Sequence, residues 1–363
     1  MKSRQNAPNQ SAPKYEIQEL RTKSLAVSLL ALAFFFAMMS GYASAEIQNS
    51  FKDCTECPEM VELPTGSFLM GAEPDEFPRE FIHVPGGGLQ QASPEHSTFK
   101  YDESPVFEVA IDRPIAMGKY EVTRGEWMAC VRDGGCNGYV PEREIGRLGS
   151  VAAVERSLLD PAFASTLTGR EVAEAMATDD LLTLSDDFPV TYVSFEDAQS
   201  YVDWLNRKLD TEAYRLPTEA EWEFAARAGS TTRFATGETL TSSQANFSGE
   251  RTVKFIGDQW TGLLTRGFLV RVGELESANP WGLRHMAGNA AEVTLSCYTT
   301  RYYGWTTSEE WLLNGTAVEC DRTLRGGDYA SSMELLRSAW RGTIPEDFRS
   351  QDIGFRIVKE MTE

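Results

Sequence analysis

Apolar and polar positions first fall into register at Met60-Val61-Glu62-Leu63 and Ser67-Phe68-Leu69-Met70, on either side of Pro64-Thr65-Gly66. Alternation places successive side chains on opposite faces of a strand, so this stretch predicts a β-hairpin. Val106 to Ile111 and Met117 to Val122 predict two further strands. Three helices then carry their own start signals. Thr123-x-x-Glu126, Ser194-x-x-Asp197 and Thr218-x-x-Glu221 each set a hydroxyl ahead of a carboxylate, the pair that satisfies the open N–H groups of a first helical turn. Behind them, Trp127, Cys130 and Val131, then Ala198, Val202 and Leu205, then Trp222, Ala225 and Ala226 recur on one helical face. Gly229 marks a stop. Beyond it the chain is rich in Gly, Ser, Thr and Asn, which predicts loops and short strands ending in a strand at Ile353 to Val358.

Two stretches interrupt this pattern. Residues 72–104 are rich in Pro, Gly and Glu, include Gly86-Gly87-Gly88, and predict a long surface loop. Residues 143–187 lack Cys and show helical spacing at Val151 to Leu159 and Glu171 to Leu184. They predict a helical insertion, either a partner-binding lid or a decoration of the lineage. At the N-terminus, Lys2, Arg4, Lys14, Arg21 and Lys23 precede an apolar run from Leu25 to about Met39. Ala43-Ser44-Ala45 before Glu46 then fits a small-residue cleavage site. Residues 1–45 therefore predict a signal peptide, with an uncleaved anchor as the alternative, since a spanning helix takes about 20 apolar residues. Both readings put the remainder in the periplasm or outside the cell, with membrane contact only through an uncleaved leader.

Composition narrows the chemistry. The formal net charge of -20 disfavours a nucleic-acid partner, because phosphate backbones are bound through Lys and Arg. The three histidines, His83, His96 and His285, do not lie at metal-ligand spacing. All six cysteines follow the leader, and in an oxidising compartment they predict disulfides. Pairing neighbours gives Cys54–Cys57, Cys130–Cys136 and Cys297–Cys320, one connectivity among the many that six cysteines allow. The last closes the longest loop and stabilises by about 3 kcal/mol, against about 2 for the others. Cys54-Thr-Glu-Cys57 also has the form of a redox or zinc motif, although it stands alone and Pro58 follows it.

The remaining landmarks come in a fixed order. Pro64-Thr65-Gly66-Ser67-Phe68-Leu69-Met70-Gly71 is followed by Tyr120-Glu121-Val122-Thr123 and Pro189-Val190-Thr191-Tyr192-Val193-Ser194. Arg215-Leu216-Pro217-Thr218-Glu219-Ala220-Glu221-Trp222-Glu223 comes next, then Asn279-Pro280-Trp281-Gly282-Leu283 and Gly288-Asn289. Leu324-Arg325-Gly326-Gly327, Arg337-Ser338-Ala339-Trp340-Arg341 and Gly354-Phe355-Arg356 close the series. This order resembles the formylglycine-generating-enzyme, or sulfatase-modifying-factor, family over nearly all of the chain after the leader. The resemblance implies one α+β domain over about 54–360, with the loop-rich variant C-type-lectin-like fold, little regular structure and bound calcium.

Members of that family oxidise a substrate cysteine with copper and oxygen, using two cysteines close to the Arg-Gly-Gly motif. Copper(I) prefers soft thiolates. Here Gly327 is followed by Asp328-Tyr329-Ala330-Ser331-Ser332-Met333-Glu334-Leu335-Leu336, without a cysteine, so copper-dependent formylglycine formation is not expected. Asp328 stands where the family usually has serine, and Gly288-Asn289-Ala290-Ala291-Glu292-Val293 lacks the family's two tryptophans. For calcium, the resemblance points to Asn289 and Glu292 at one site and to Asn246 with the Phe247 carbonyl at another; hard oxygen donors suit this ion. Relatives on this scaffold include oxidoreductases of siderophore maturation, iron enzymes with a histidine-bearing domain, and binding proteins that present a C-terminal segment to ligand. The expectation is accordingly an exported calcium-binding protein. It would bind a peptide, protein or small molecule in a groove formed by Asp328, Tyr329, Arg337, Trp340 and Arg341, where aromatics and Arg favour recognition. A divergent oxidoreductase or modifying enzyme is the alternative.

Overall fold

The computed structural model describes residues 50–73, 76, 81–84, 88–91, 102–148, 181–256, 260–316 and 319–361. The leader and residues 149–180 of the insertion lie outside the described residues. So do Val151 to Leu159, one of the two segments with helical spacing. The other, Glu171 to Leu184, is described only at its end, where Leu181–Thr183 is a strand and not helix.

The three capped helices are present: α1 (Arg124–Arg132), α2 (Phe195–Leu209) and α3 (Glu219–Arg227). In each the hydroxyl of the capping residue accepts from the third helical N–H, and that residue's carboxylate accepts from the cap N–H. Two helices went unforeseen in the polar second half, α4 (Gly249–Ile256) and α5 (Ser308–Asn314).

Met60–Glu62 and Gly66–Met70 are both strands, yet they do not pair as a hairpin. The first joins a five-stranded sheet whose spatial order is Ser50–Phe51, Met60–Glu62, Ile115–Gly118, Val358–Glu360 and Tyr214–Arg215. The second pairs with Phe107–Ile111 in a separate ribbon. The long loop 72–104 holds a ribbon of its own, Phe81–Val84 against Gly88–Gln91. The strand foreseen at Ile353 to Val358 divides. Ile353–Gly354 edges a four-stranded sheet with Ala291–Cys297, Arg322–Arg325 and Gly342–Ile344, whereas Val358–Glu360 enters the five-stranded one.

Both faces of the five-stranded sheet are buried, and its alternation assigns them. Met60, Ala116 and Ile357 face an apolar cluster with Trp127, Tyr201 and Phe355 from α1, α2 and the C-terminal segment. Val61, Met117 and Val358 face a second cluster with Trp222, Phe224 and Met70. A third, around Leu148, Leu184, Phe188, Tyr329 and Ala330, joins the root of the insertion to the segment after Arg-Gly-Gly.

The disulfides are Cys54–Cys57, Cys130–Cys136 and Cys297–Cys320, and no cysteine is free. The neighbour pairing is the one formed.

Candidate functional site

Helix α3 shows what the long motif around Glu219 is for. Glu219, Glu221 and Glu223 are all fully buried, and isolated carboxylates there would be very costly. Each meets arginine. Arg215 grips Glu221 through two bonds of 2.7 Å. Glu223 takes Arg227 and Arg325, and Glu219 takes both Arg341 and Arg325. Glu292 receives a fork from Arg356 at 2.6 Å on each oxygen, and Trp222 Nε1 at 2.7 Å. Planar guanidinium forks match carboxylates two bonds at a time and so tie distant loops in fixed geometry. The order of motifs along the chain is largely the order of these ties.

This arrangement decides the fate of the groove residues. Arg337 is buried on Glu103 at 2.7 and 2.8 Å, with Glu76 at 2.9 Å. Arg341 is buried on Glu219 and on the carbonyls of Asp102 and Thr299. Tyr329 is fully buried, its hydroxyl accepting from Gln351 Nε2 at 3.0 Å. These three side chains are interior ties, not the wall of an open groove. Trp340 keeps partial exposure, and so does Asp328.

Asp328 is placed by glycine. Gly327 has φ +64°, and a Cβ there would stand 2.6 Å from the Leu335 carbonyl oxygen, so only glycine makes this turn without strain. The Asp328 carboxylate accepts from Ala330 N–H at 2.6 Å and from the Ser331 hydroxyl at 2.9 Å. None of Arg325, Arg337 and Arg341 serves it. Its charged neighbours are Asp352, which accepts from the Ser350 hydroxyl, and Arg251 from α4. Arg251 Nη1 donates to the Ala330 carbonyl at 2.8 Å, while its Nε is buried without a hydrogen-bond partner. Burial and the neighbouring Asp352 push the Asp328 carboxyl up to about 7, and burial pushes Asp352 up as well. Two half-buried carboxyls sharing one arginine do not both ionise readily.

Asp352 and Arg251 escaped sequence reasoning. Asp352 sits only two residues ahead of Gly354-Phe355-Arg356, but no spacing connects it with Asp328. Arg251 lies in a helix that the polar composition hid.

The donors foreseen for calcium are occupied by protein. Glu292 is held by Arg356 and Trp222. The Asn289 carboxamide gives Nδ2 to Glu121 at 2.8 Å and accepts at Oδ1 from Val270 N–H at 2.9 Å and Asn246 Nδ2 at 3.1 Å. Arg356 stands beside Glu292 and Glu121, and burial raises Glu121 to about 7. His285 is buried nearby, and burial with Arg284 and Arg356 drives it down to about 3, so it is neutral. A divalent cation takes about six to eight oxygens, several of them anionic. This pocket has its charge already neutralised by arginine, so the residues at Asn289 and Glu292 do not fit calcium. At Asn246 one oxygen, Oδ1, is buried without a partner, and Nδ2 reaches the Phe268 carbonyl at 2.8 Å. Phe247 packs its ring in an apolar cluster with Met333 and Leu336. Among the described residues no group of three His, Cys, Asp or Glu is placed to hold a metal ion.

Fold and site together define a loop-rich α+β domain in which buried arginine–carboxylate forks hold an Arg-Gly-Gly turn beside a pair of aspartates. The chain belongs to the sulfatase-modifying-factor family: the "Sulfatase-modifying factor enzyme 1-like domain" matches residues 46–361. It is 28% identical over 307 residues to the formylglycine-generating enzyme of Streptomyces coelicolor, covering 77% of this chain and 88% of that protein. It is also 28% identical over 273 residues to the hercynine oxygenase of Mycolicibacterium smegmatis, covering 72% of this chain and 56% of that protein. Among solved structures, PvdO from Pseudomonas aeruginosa aligns with a TM-score of 0.57 at 25% identity, over 87% of this chain and 99% of that one. The fold is the formylglycine-generating-enzyme fold.

Proposed function

We propose that this chain is an exported member of the family that binds a peptide, protein or small ligand around Asp328 and Asp352, without thiolate–copper oxidation. One observation carries the reading. Every cysteine is in a disulfide, and the segment after Arg-Gly-Gly carries a hard carboxyl, Asp328, with Asp352 and Arg251 as its charged neighbours and no thiol. Copper(I) gains little from carboxylate oxygen, and a disulfide offers no thiolate. The partly exposed Asp328 and Asp352 supply hydrogen-bond acceptors for a polar ligand. The proposal leaves calcium aside at Asn289 and Glu292, where the oxygens are already bonded within the protein.

A second reading has its own support. A carboxyl near 7 is matched to proton transfer at neutral pH, and the likeness to the hercynine oxygenase and to PvdO keeps an enzyme in view. In that reading Asp328 holds or accepts a proton with Asp352 as its neighbour. Metal analysis of the purified chain with an oxygen-consumption assay separates the two. The binding reading expects copper and iron far below one per chain and no oxygen uptake. Stoichiometric copper or iron with oxygen turnover would overturn it.

A further inference from the structure

The insertion 143–187 and the aspartate pair are far apart in sequence, yet one buried side chain touches the root of the first and the tyrosine that follows Asp328 in the second. Gln351 is 2% exposed. Its Oε1 accepts from Gly146 N–H at 3.2 Å and from the Tyr192 hydroxyl at 3.3 Å. Its Nε2 donates to the Gly146 carbonyl at 3.0 Å and to the Tyr329 hydroxyl at 3.0 Å. A primary carboxamide has two donors and two acceptor lone pairs, so all its capacity is in use.

Gly146 ends the strand Glu144–Gly146, which pairs with Leu181–Thr183 across the base of the insertion. Gln351 meets the N–H and C=O of Gly146 as a further peptide group would. On its other side it holds Tyr329, the residue after Asp328, and it is itself the residue before Asp352. A shift of that ribbon therefore moves Gln351, and with it the two segments that carry the aspartates.

We infer that Gln351 is a positioning residue through which the root of the insertion sets the placement of Asp328 against Asp352. This rests on the reading of the pair as the functional site. Packing beneath the joint makes it stiff: Ile145, Leu148, Leu184, Tyr192, Tyr329 and Ala330 share one apolar cluster. The groups facing the pair are Arg251 from α4 and the Tyr329 phenol, with Tyr192 beyond it, besides the hydroxyls of Ser331 and Ser350. Changing the separation of two carboxyls changes how strongly one proton is held between them.

The test is a carboxyl-detected NMR titration of the full chain with labelled aspartate, the signals assigned with Asp328→Asn and Asp352→Asn. Gln351→Ala is expected to move the apparent midpoints of the pair by about half a pH unit or more, a factor of about three in proton affinity. Gln351→Met fills the same space without hydrogen bonds and is expected to do the same, which covers the case where the alanine variant fails to fold. Val202→Ala, in the core cluster behind α2, is the control: it lowers stability and leaves the midpoints in place. Unmoved midpoints in the Gln351 variants overturn the inference, and so does an equal movement in Val202→Ala. An Asp328 that titrates in the ordinary carboxylate range in the unaltered chain overturns the site reading instead.

Discussion

Replacing Arg341 with alanine separates two accounts of the motif Arg337-Ser338-Ala339-Trp340-Arg341. If Arg341 contacts ligand, its loss weakens binding and leaves the fold intact. In the structure it holds Glu219 by a fork, caps the carbonyls of Asp102 and Thr299 at 2.6 and 2.9 Å, and lies 4.4 Å from the Tyr302 ring centre. Removing one partner of a buried ion pair costs about 3–5 kcal/mol, because the other charge stays buried. Arg325 remains at 3.4 Å from Glu219 and offsets part of this. Two carbonyls lose a donor, at about 1–3 kcal/mol for each one left unsatisfied. These terms overlap, and a net loss of about 3–5 kcal/mol is expected. At about 2–4 °C per kcal/mol for a domain of this order, the melting temperature falls by roughly 6–20 °C. Differential scanning calorimetry with the disulfides intact measures this, and exposed Arg301→Ala should stay within about 0.5 kcal/mol of the parent. An Arg341→Ala melting curve that overlays the parent refutes the interior assignment.

Two further outcomes follow from the same geometry. Asp328 has an ordinary value of 3.8 and sits at about 7 in the fold, so the folded chain keeps a proton that the unfolded chain releases across that window. Its contribution is present below about pH 4 and is lost as pH rises through about 7. Asp328→Asn should match the parent at pH 4 and exceed it in urea stability at pH 8; equal differences at both values would contradict the shift. Calorimetric titration with calcium should give no heat attributable to Asn289 and Glu292, and Glu292→Gln should leave the trace unchanged. A saturable signal removed by that substitution would show that the cation displaces Arg356.

Much of the frame was legible because its signals are local. A capping box spans four residues and reports a helix start without tertiary context, and all three such starts were realised. The disulfides formed between chain neighbours, where loop closure is cheapest. What failed depends on distant partners. Pro64-Thr65-Gly66 has turn chemistry, but Met60–Glu62 finds its partner at Ile115–Gly118, and the alternation is equally consistent with either pairing. Ile353 to Val358 reads as one strand, although Phe355 and Arg356 sit between two sheets, where the guanidinium meets Glu292. Arg337 and Arg341 carry the composition of a recognition surface, and only the three-dimensional position of Glu103 and Glu219 shows them to be interior. Asp352 and Arg251 have no local signature, so their approach to Asp328 appears only once the chain is folded.

The most direct test offers the oxidised, full-length chain a cysteine-bearing peptide with copper(I) and oxygen, and traps any aldehyde product with a hydrazine for mass spectrometry. With all six cysteine sulfurs in disulfides and a carboxyl instead of thiols after Arg-Gly-Gly, the peptide should return unmodified at every copper level. Catalytic aldehyde formation, saturating at one copper per chain, would contradict the account.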